Sequence, residues 1–197
     1  AALDALAQAQ ALPVRFTAQS DLATALIERD GSYAGAEEYL RRSMAATPQH
    51  VEPYTGLMDL LYKTGRVDEA ISLGRSTVRR FPEDVDPLML LGRMLFDQGD
   101  YREAEASFRQ AVVLRPRLVD ARLWQVRAAM AQLQTERAIA LLDDAIRAMP
   151  DQAIFLVWLG DIRRSSGDLA GAADAYRRAL ASDVNNADAR RGLESLP

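Results

Sequence analysis

No cysteine occurs in the 197 residues, so disulfides and thiolate metal sites are excluded. Histidine and lysine occur once each, at His50 and Lys63. His50 comes just after Pro48, where a lone imidazole reads as a solvent-exposed turn residue rather than a general base. There is no HExxH pair, no glycine-rich phosphate loop and no paired-histidine cluster, so neither a metal nor another cofactor is expected. Glu37-Glu38 and Asp143-Asp144 are adjacent acids on expected helices, but consecutive helical residues point about 100° apart and usually make a solvated face. Long apolar runs are missing too: nothing reaches the roughly eighteen residues needed to cross a bilayer, which argues against membrane insertion. Charge of one sign is not in excess. The 24 basic and 28 acidic residues are dispersed, with a net charge of −4, and this leaves no basic footprint for nucleic acid and no polybasic membrane patch.

What is present is a stride. Pro48, Pro82, Pro116 and Pro150 stand 34 residues apart, and Gly31, Gly65, Gly99 and Gly167 keep the same register, with Leu133 in the skipped place. Ala36, Ala70, Ala104, Ala138 and Ala172 follow without a miss. Units of 34 residues are therefore expected at 17–50, 51–84, 85–118, 119–152 and 153–186. Each reads as two helices with apolar residues at helical spacing. Glycine can take the left-handed conformation that ends the first helix, and proline cannot continue the second. Numbering each unit from 1, alanine at position 20 permits close helix approach. Larger groups at positions 7, 11 and 24, such as Leu91, Leu95 and Phe108, fill the space between.

This pattern resembles the tetratricopeptide repeat. The unit 85–118 matches best, through Leu91-Gly92, Leu95, Gly99-Asp100-Tyr101, Ala104, Phe108, Ala111 and Pro116. Departures are Leu88 where the family often has Trp, Gly74 and Leu142 where it favours an aromatic, Arg122 at a usually buried place, and Val184 for the final proline. The resemblance implies an all-α fold, a right-handed superhelical α-solenoid of stacked antiparallel helix pairs, with a concave face lined by the first helices. Residues 1–16 fit the second helix of a preceding repeat, with Ala2, Leu6 and Ala9 on its apolar side and Pro13 one residue early, and 187–197 fit the start of a following or capping helix. Ala1 in place of Met, and a start without the charge pattern of a signal peptide, fit a piece of a longer array.

The packing positions leave 2, 5, 9, 12 and 13 of the first helices free for the hollow. In the unit from residue 51 these are Glu52, Asp59, Tyr62 and Lys63; in the next, Met89, Arg93, Phe96 and Asp97. Leu123, Arg127 and Met130 follow, then Val157, Asp161 and Arg164. Exposed Phe, Met and Tyr beside Arg are the residue types that anchor protein interfaces, so another protein or peptide segment is the expected partner. The other reading of these side chains is that they shield neighbouring helices. Trp124 and Trp158, both at position 6, admit the same two readings, as interface anchors or as braces between successive helices.

Family members that hold a C-terminal carboxylate use a Lys and Asn pair; here position 9 reads Ala25, Asp59, Arg93, Arg127 and Asp161, so that clamp is absent. Arg93 and Arg127 remain as cations for an acidic side chain. The alternative role is a rigid spacer, or self-association through the terminal helices. By analogy, long bacterial arrays of this kind occur in cell-envelope and exopolysaccharide-export scaffolds, and the strong preference for arginine over lysine fits a bacterial gene. A periplasmic or cytoplasmic home is compatible with the missing cysteines.

Overall fold

The computed structural model describes residues 33–197. The expected helix over 1–16, the first helix of the unit 17–50, Ala25 and Gly31 lie outside the described residues. Ten helices occupy the described chain: α1 (Tyr33–Ala46), α2 (Glu52–Lys63), α3 (Val67–Arg80), α4 (Val85–Asp97), α5 (Tyr101–Leu114), α6 (Val119–Ala131), α7 (Thr135–Ala148), α8 (Ala153–Ser165), α9 (Leu169–Ser182) and α10 (Ala187–Glu194). The second helices α1, α3, α5, α7 and α9 start 34 residues apart and each has 14 residues. The fold is an all-α solenoid of antiparallel helix pairs, with no strand among the described residues. It divides into two compact units, one reaching to Met94 and one beginning at Leu95.

The turns within pairs repeat one geometry. Gly65, Gly99 and Gly167 adopt φ of +80 to +87°, and Leu133 adopts φ of +60° at the corresponding place. In each turn the following amide bonds back to a carbonyl of the last helical turn, as Arg66 does to Leu61 and Gln134 to Ala129, so the ending has the Schellman form. Leu133 is forced into a conformation that costs a β-carbon. Between pairs, the second helix stops two residues before each proline. α9 stops at Ser182 without one, because Asp183 accepts from the Asn185 amide at 3.1 Å and Asn186 caps α10 through the Ala189 amide at 2.9 Å.

In the first unit the absent aromatic at Gly74 is replaced from both sides. A β-carbon there would stand 3.0 Å from Met58 Cε and from Leu91 Cδ1. In the second unit the sizes are reversed: Tyr176 is fully buried, and a β-carbon at either Gly160 or Gly192 would stand 2.5 Å from its ring. Big and small residues thus trade places between positions 8 and 24 while the layer stays filled. Around them, Val126, Ala129, Ala138, Leu142, Ala145, Phe155 and Leu159 form the main core of the second unit.

Polar contacts tie successive pairs. Glu105 on α5 is nearly buried; its Oε1 accepts from Arg137 Nε and Nη2 at 2.8 and 2.6 Å, and its Oε2 from Gln132 Nε2 at 2.9 Å. In the first unit Arg66 reaches both Glu69 and Glu37, which raises its own pKa and lowers theirs; for Glu37 the Arg41 hydrogen bond is the largest cause. Arg122 is half-buried, and its Nε donates to the Pro116 carbonyl at 2.9 Å, while loss of water lowers its pKa. Tyr54 and Arg190, at the same repeat position, reach the carbonyls of Pro48 and Val184 in the same way. A long side chain with a polar tip therefore serves where the family usually buries an apolar one.

Candidate interaction surface on the first helices

The first helices of the two units present their candidate side chains separately. In the first unit, Asp59 and Lys63 make an exposed ion pair at 2.7 Å along α2, Glu52, Tyr62 and Met89 are half-buried, and Arg93 is exposed on α4. His50 is half-buried in the turn before α2 rather than fully exposed, and its amide donates to the Thr47 carbonyl. Glu37 pairs with Arg41 as well as Arg66, and Glu38 pairs with Arg42, so the adjacent acids of α1 serve ion pairs.

The second unit carries a run of rings. Phe96 meets Trp124 edge to face at 5.4 Å and Tyr101 at 5.0 Å, while Trp124 stacks on Phe108 at 5.5 Å. Offset and edge contacts of this kind add about 0.5–1.5 kcal/mol each beyond the buried area. The Arg127 guanidinium lies 4.6 Å from the Trp124 ring centre and 5.9 Å from that of Trp158. Phe96 and the two indoles therefore brace the helices, and Arg127 stands exposed against the indoles. Leu123, Met130 and Trp158 are partly buried against the core of α6–α8. Asp97, Asp161 and Arg164 are exposed. Val157 is 4% exposed and packs with Ala153, Leu156, Ala179 and Ala189, so its side chain belongs mostly to the core.

Beside Trp158, a cleft of about 410 Å³ opens between α8 and α10. Ile154, Val157, Trp158, Asp161 and Arg164 line it from α8, and Asp188, Arg191, Gly192 and Ser195 from the facing side. In repeat numbering these are positions 2, 5, 6, 9 and 12, then 2, 5, 6 and 9 of the next unit. The α10 residues were missed by reading the face only as far as residue 164, although the same numbering extended past residue 186 picks them out. Gly192 stands where α6 and α8 carry Trp124 and Trp158, and it gives that wall of the cleft backbone alone, since a β-carbon there would face the Tyr176 ring.

The cleft is electrically balanced. Arg164 Nη1 donates to Ser195 Oγ at 2.6 Å and its other end lies 3.5 Å from Asp161; Arg191 pairs with Asp188. Asp161 also accepts from the Tyr176 hydroxyl at 2.7 Å. Burial, and then this bond to Asp161, push the Tyr176 phenol up to about 12. No group of three or more His, Asp or Glu suited to a metal ion occurs among the described residues. No helix among them is long and apolar enough to cross a membrane. What the arrangement offers chemically is apolar area, one stacked cation and paired charges, the equipment of recognition.

The tetratricopeptide repeat model matches residues 55–119 and 123–190. Cellulose synthase operon protein C of Xanthomonas axonopodis pv. citri (strain 306) is 32% identical over 127 residues, 60% of this chain and 8% of the relative. Its counterpart in Pseudomonas fluorescens (strain SBW25) is 27% identical over 132 residues, 63% of this chain and 10% of the relative. Human anaphase-promoting complex subunit 7 is 24% identical over 155 residues, covering 79% of this chain and 27% of that protein. The chain thus spans about a tenth or less of the bacterial relatives and about a quarter of the human one. Among solved structures, MamA from Desulfovibrio magneticus RS-1 is similar with a TM-score of 0.66 at 17% identity, covering 87% of this chain and 97% of that one. YrrB, a TPR protein with an unusual peptide-binding site, has a TM-score of 0.64 at 15% identity, covering 89% and 90%. At these identities the likeness is one of fold. With the family model matched over two stretches that together exceed half of the sequence, the chain belongs to the tetratricopeptide repeat family.

Proposed function

We propose that the chain is a non-catalytic scaffold that holds an extended segment of a partner protein on the face of its first helices. The observation that carries this reading is the α8–α10 cleft, lined from positions 2, 5, 9 and 12 of the first helices together with Trp158 and Gly192 at position 6. Tetratricopeptide proteins are in general binding scaffolds, and the described residues offer recognition chemistry rather than a nucleophile with its base. The peptide-binding site described for YrrB is a precedent in a similar fold. The two cellulose synthase operon relatives support a place in a bacterial exopolysaccharide assembly, with the periplasm as the proposed compartment.

The test is site-directed photo-crosslinking in the source cells. A photoreactive residue at Met130 or Arg164 should capture a partner, whereas one at Val113, which is exposed on the second helix α5, should not. The combined variant Arg93→Ala, Phe96→Ala and Arg127→Ala should lose capture while keeping its helical circular dichroism. Equal capture from Val113, or indifference to the three substitutions with sensitivity to repeat number, would favour a spacer role instead.

A further inference from the structure

Arg127 differs from the other exposed arginines around the cleft in having no carboxylate. Arg164 lies beside Asp161 and Arg191 beside Asp188, while Asp161 is further occupied by the Tyr176 hydroxyl. Among the described residues, the Arg127 guanidinium has contacts with the Trp124 and Trp158 rings and no acidic partner. Indole faces hold a planar cation in place while leaving its N–H edges free, so the five donors of the fork keep their capacity for an outside acceptor. Trp158 also forms part of the apolar wall of the α8–α10 cleft, with Ile154 and Val157. The cation and the apolar recess therefore share one side chain.

We propose that Arg127, held against Trp124 and Trp158, reads a carboxylate in the partner, and that the bound segment presents Glu or Asp beside a large apolar residue that enters the cleft next to Trp158. The proposal rests on the peptide-binding reading above and gives it a ligand class. A guanidinium already oriented by stacking loses little freedom on pairing, and a bidentate carboxylate contact is stronger and more directional than one to an amide. Trp124 and Trp158 are positioning residues: they act on the ligand carboxylate through Arg127. The apolar wall supplies affinity that does not depend on the acid.

The experiment is an array of acetylated nonapeptides, each with one Glu beside Leu, Phe or Trp in a neutral background, set next to a counterpart with Gln in place of Glu and probed with the full chain. The unaltered chain should retain the Glu peptides over their Gln counterparts by roughly tenfold. Arg127→Ala should bring that ratio to about one while still retaining the apolar peptides, and Arg127→Lys, with the charge but without the stacked fork, should fall between. Trp158→Leu should lower the ratio with Arg127 still present; a loss of packing alone would weaken Glu and Gln peptides alike and leave the ratio unmoved. If the chain binds peptides without preferring Glu, or if Arg127→Ala keeps the preference, the carboxylate assignment is overturned and the peptide-binding reading survives. If no peptide is retained, both fall.

Discussion

At the scale of single residues, Leu133 is the place where chemistry and backbone disagree most openly. It sits at φ of +60° in a turn whose counterparts are glycine, and its side chain is 89% exposed, so no packing compensates the strain. The left-handed conformation costs an L side chain about 1–2 kcal/mol, and glycine returns part of that as chain entropy lost on folding. Leu133→Gly should therefore stabilise the chain by roughly 0.5–1 kcal/mol, read as a higher urea midpoint with an unchanged slope. Tyr176 supplies a second residue-scale expectation. Its folded pKa is raised to about 12 from an ordinary value of 10.0, so the folded state holds the proton that the unfolded chain gives up. The contribution is complete below about pH 10 and is lost as pH rises toward 12, at a slope of at most about 1.4 kcal/mol per pH unit. Tyr176→Phe removes the ionisable group, and its stability measured from pH 9 to 12 should lose that part of the alkaline decline.

Helices and the layers between them set the next scale. The exchange of volume between positions 8 and 24 makes each layer a unit in which one residue cannot be judged alone. Gly160→Ala puts a methyl group against the Tyr176 ring, and that ring cannot retreat because Gly192 presses on it too. A cost of about 1–3 kcal/mol is expected from overpacking. Tyr176→Leu by itself should also destabilise, by leaving a void. Combined, the two approach the Val126 and Leu142 arrangement one repeat earlier, so the double variant should cost less than the sum of its parts in a denaturation cycle. The same layers mark what was legible in the sequence. The helix pairs and the turn positions followed from the stride, because proline, glycine and a 3.6-residue period act locally. Depth did not follow. Val157 has the right angular position for the face yet is 4% exposed, since its burial depends on neighbours such as Ala153 and Ala189. Arg122 holds a usually apolar place because its head reaches the Pro116 carbonyl, a contact that periodicity does not encode. The packing of Phe96 on Trp124 likewise depends on the sizes of side chains in successive repeats, which periodicity ignores.

For the whole molecule, the consequence of a repeat architecture is that energy is shared between neighbours in the stack and little beyond them. This yields a paired expectation within the second unit. Glu105→Gln removes the charge-assisted bonds from Arg137 and weakens the hold on Gln132, the residue next to Leu133, at a cost of about 1–3 kcal/mol. Because Gln132 and Arg137 flank the Leu133 turn, Leu133→Gly in that background should differ from its effect in the unaltered chain by at least about 0.5 kcal/mol. Leu133→Gly combined with Tyr176→Phe should be additive to within about 0.5 kcal/mol, for the exposed Leu133 side chain and the Tyr176 hydroxyl have no partner in common. Urea titrations of the three single variants and two doubles decide the matter. Coupling between Leu133 and Tyr176 as large as that between Leu133 and Glu105 would mean that strain travels through the second unit as through one globular core, and the nearest-neighbour description of its helix pairs would have to be given up.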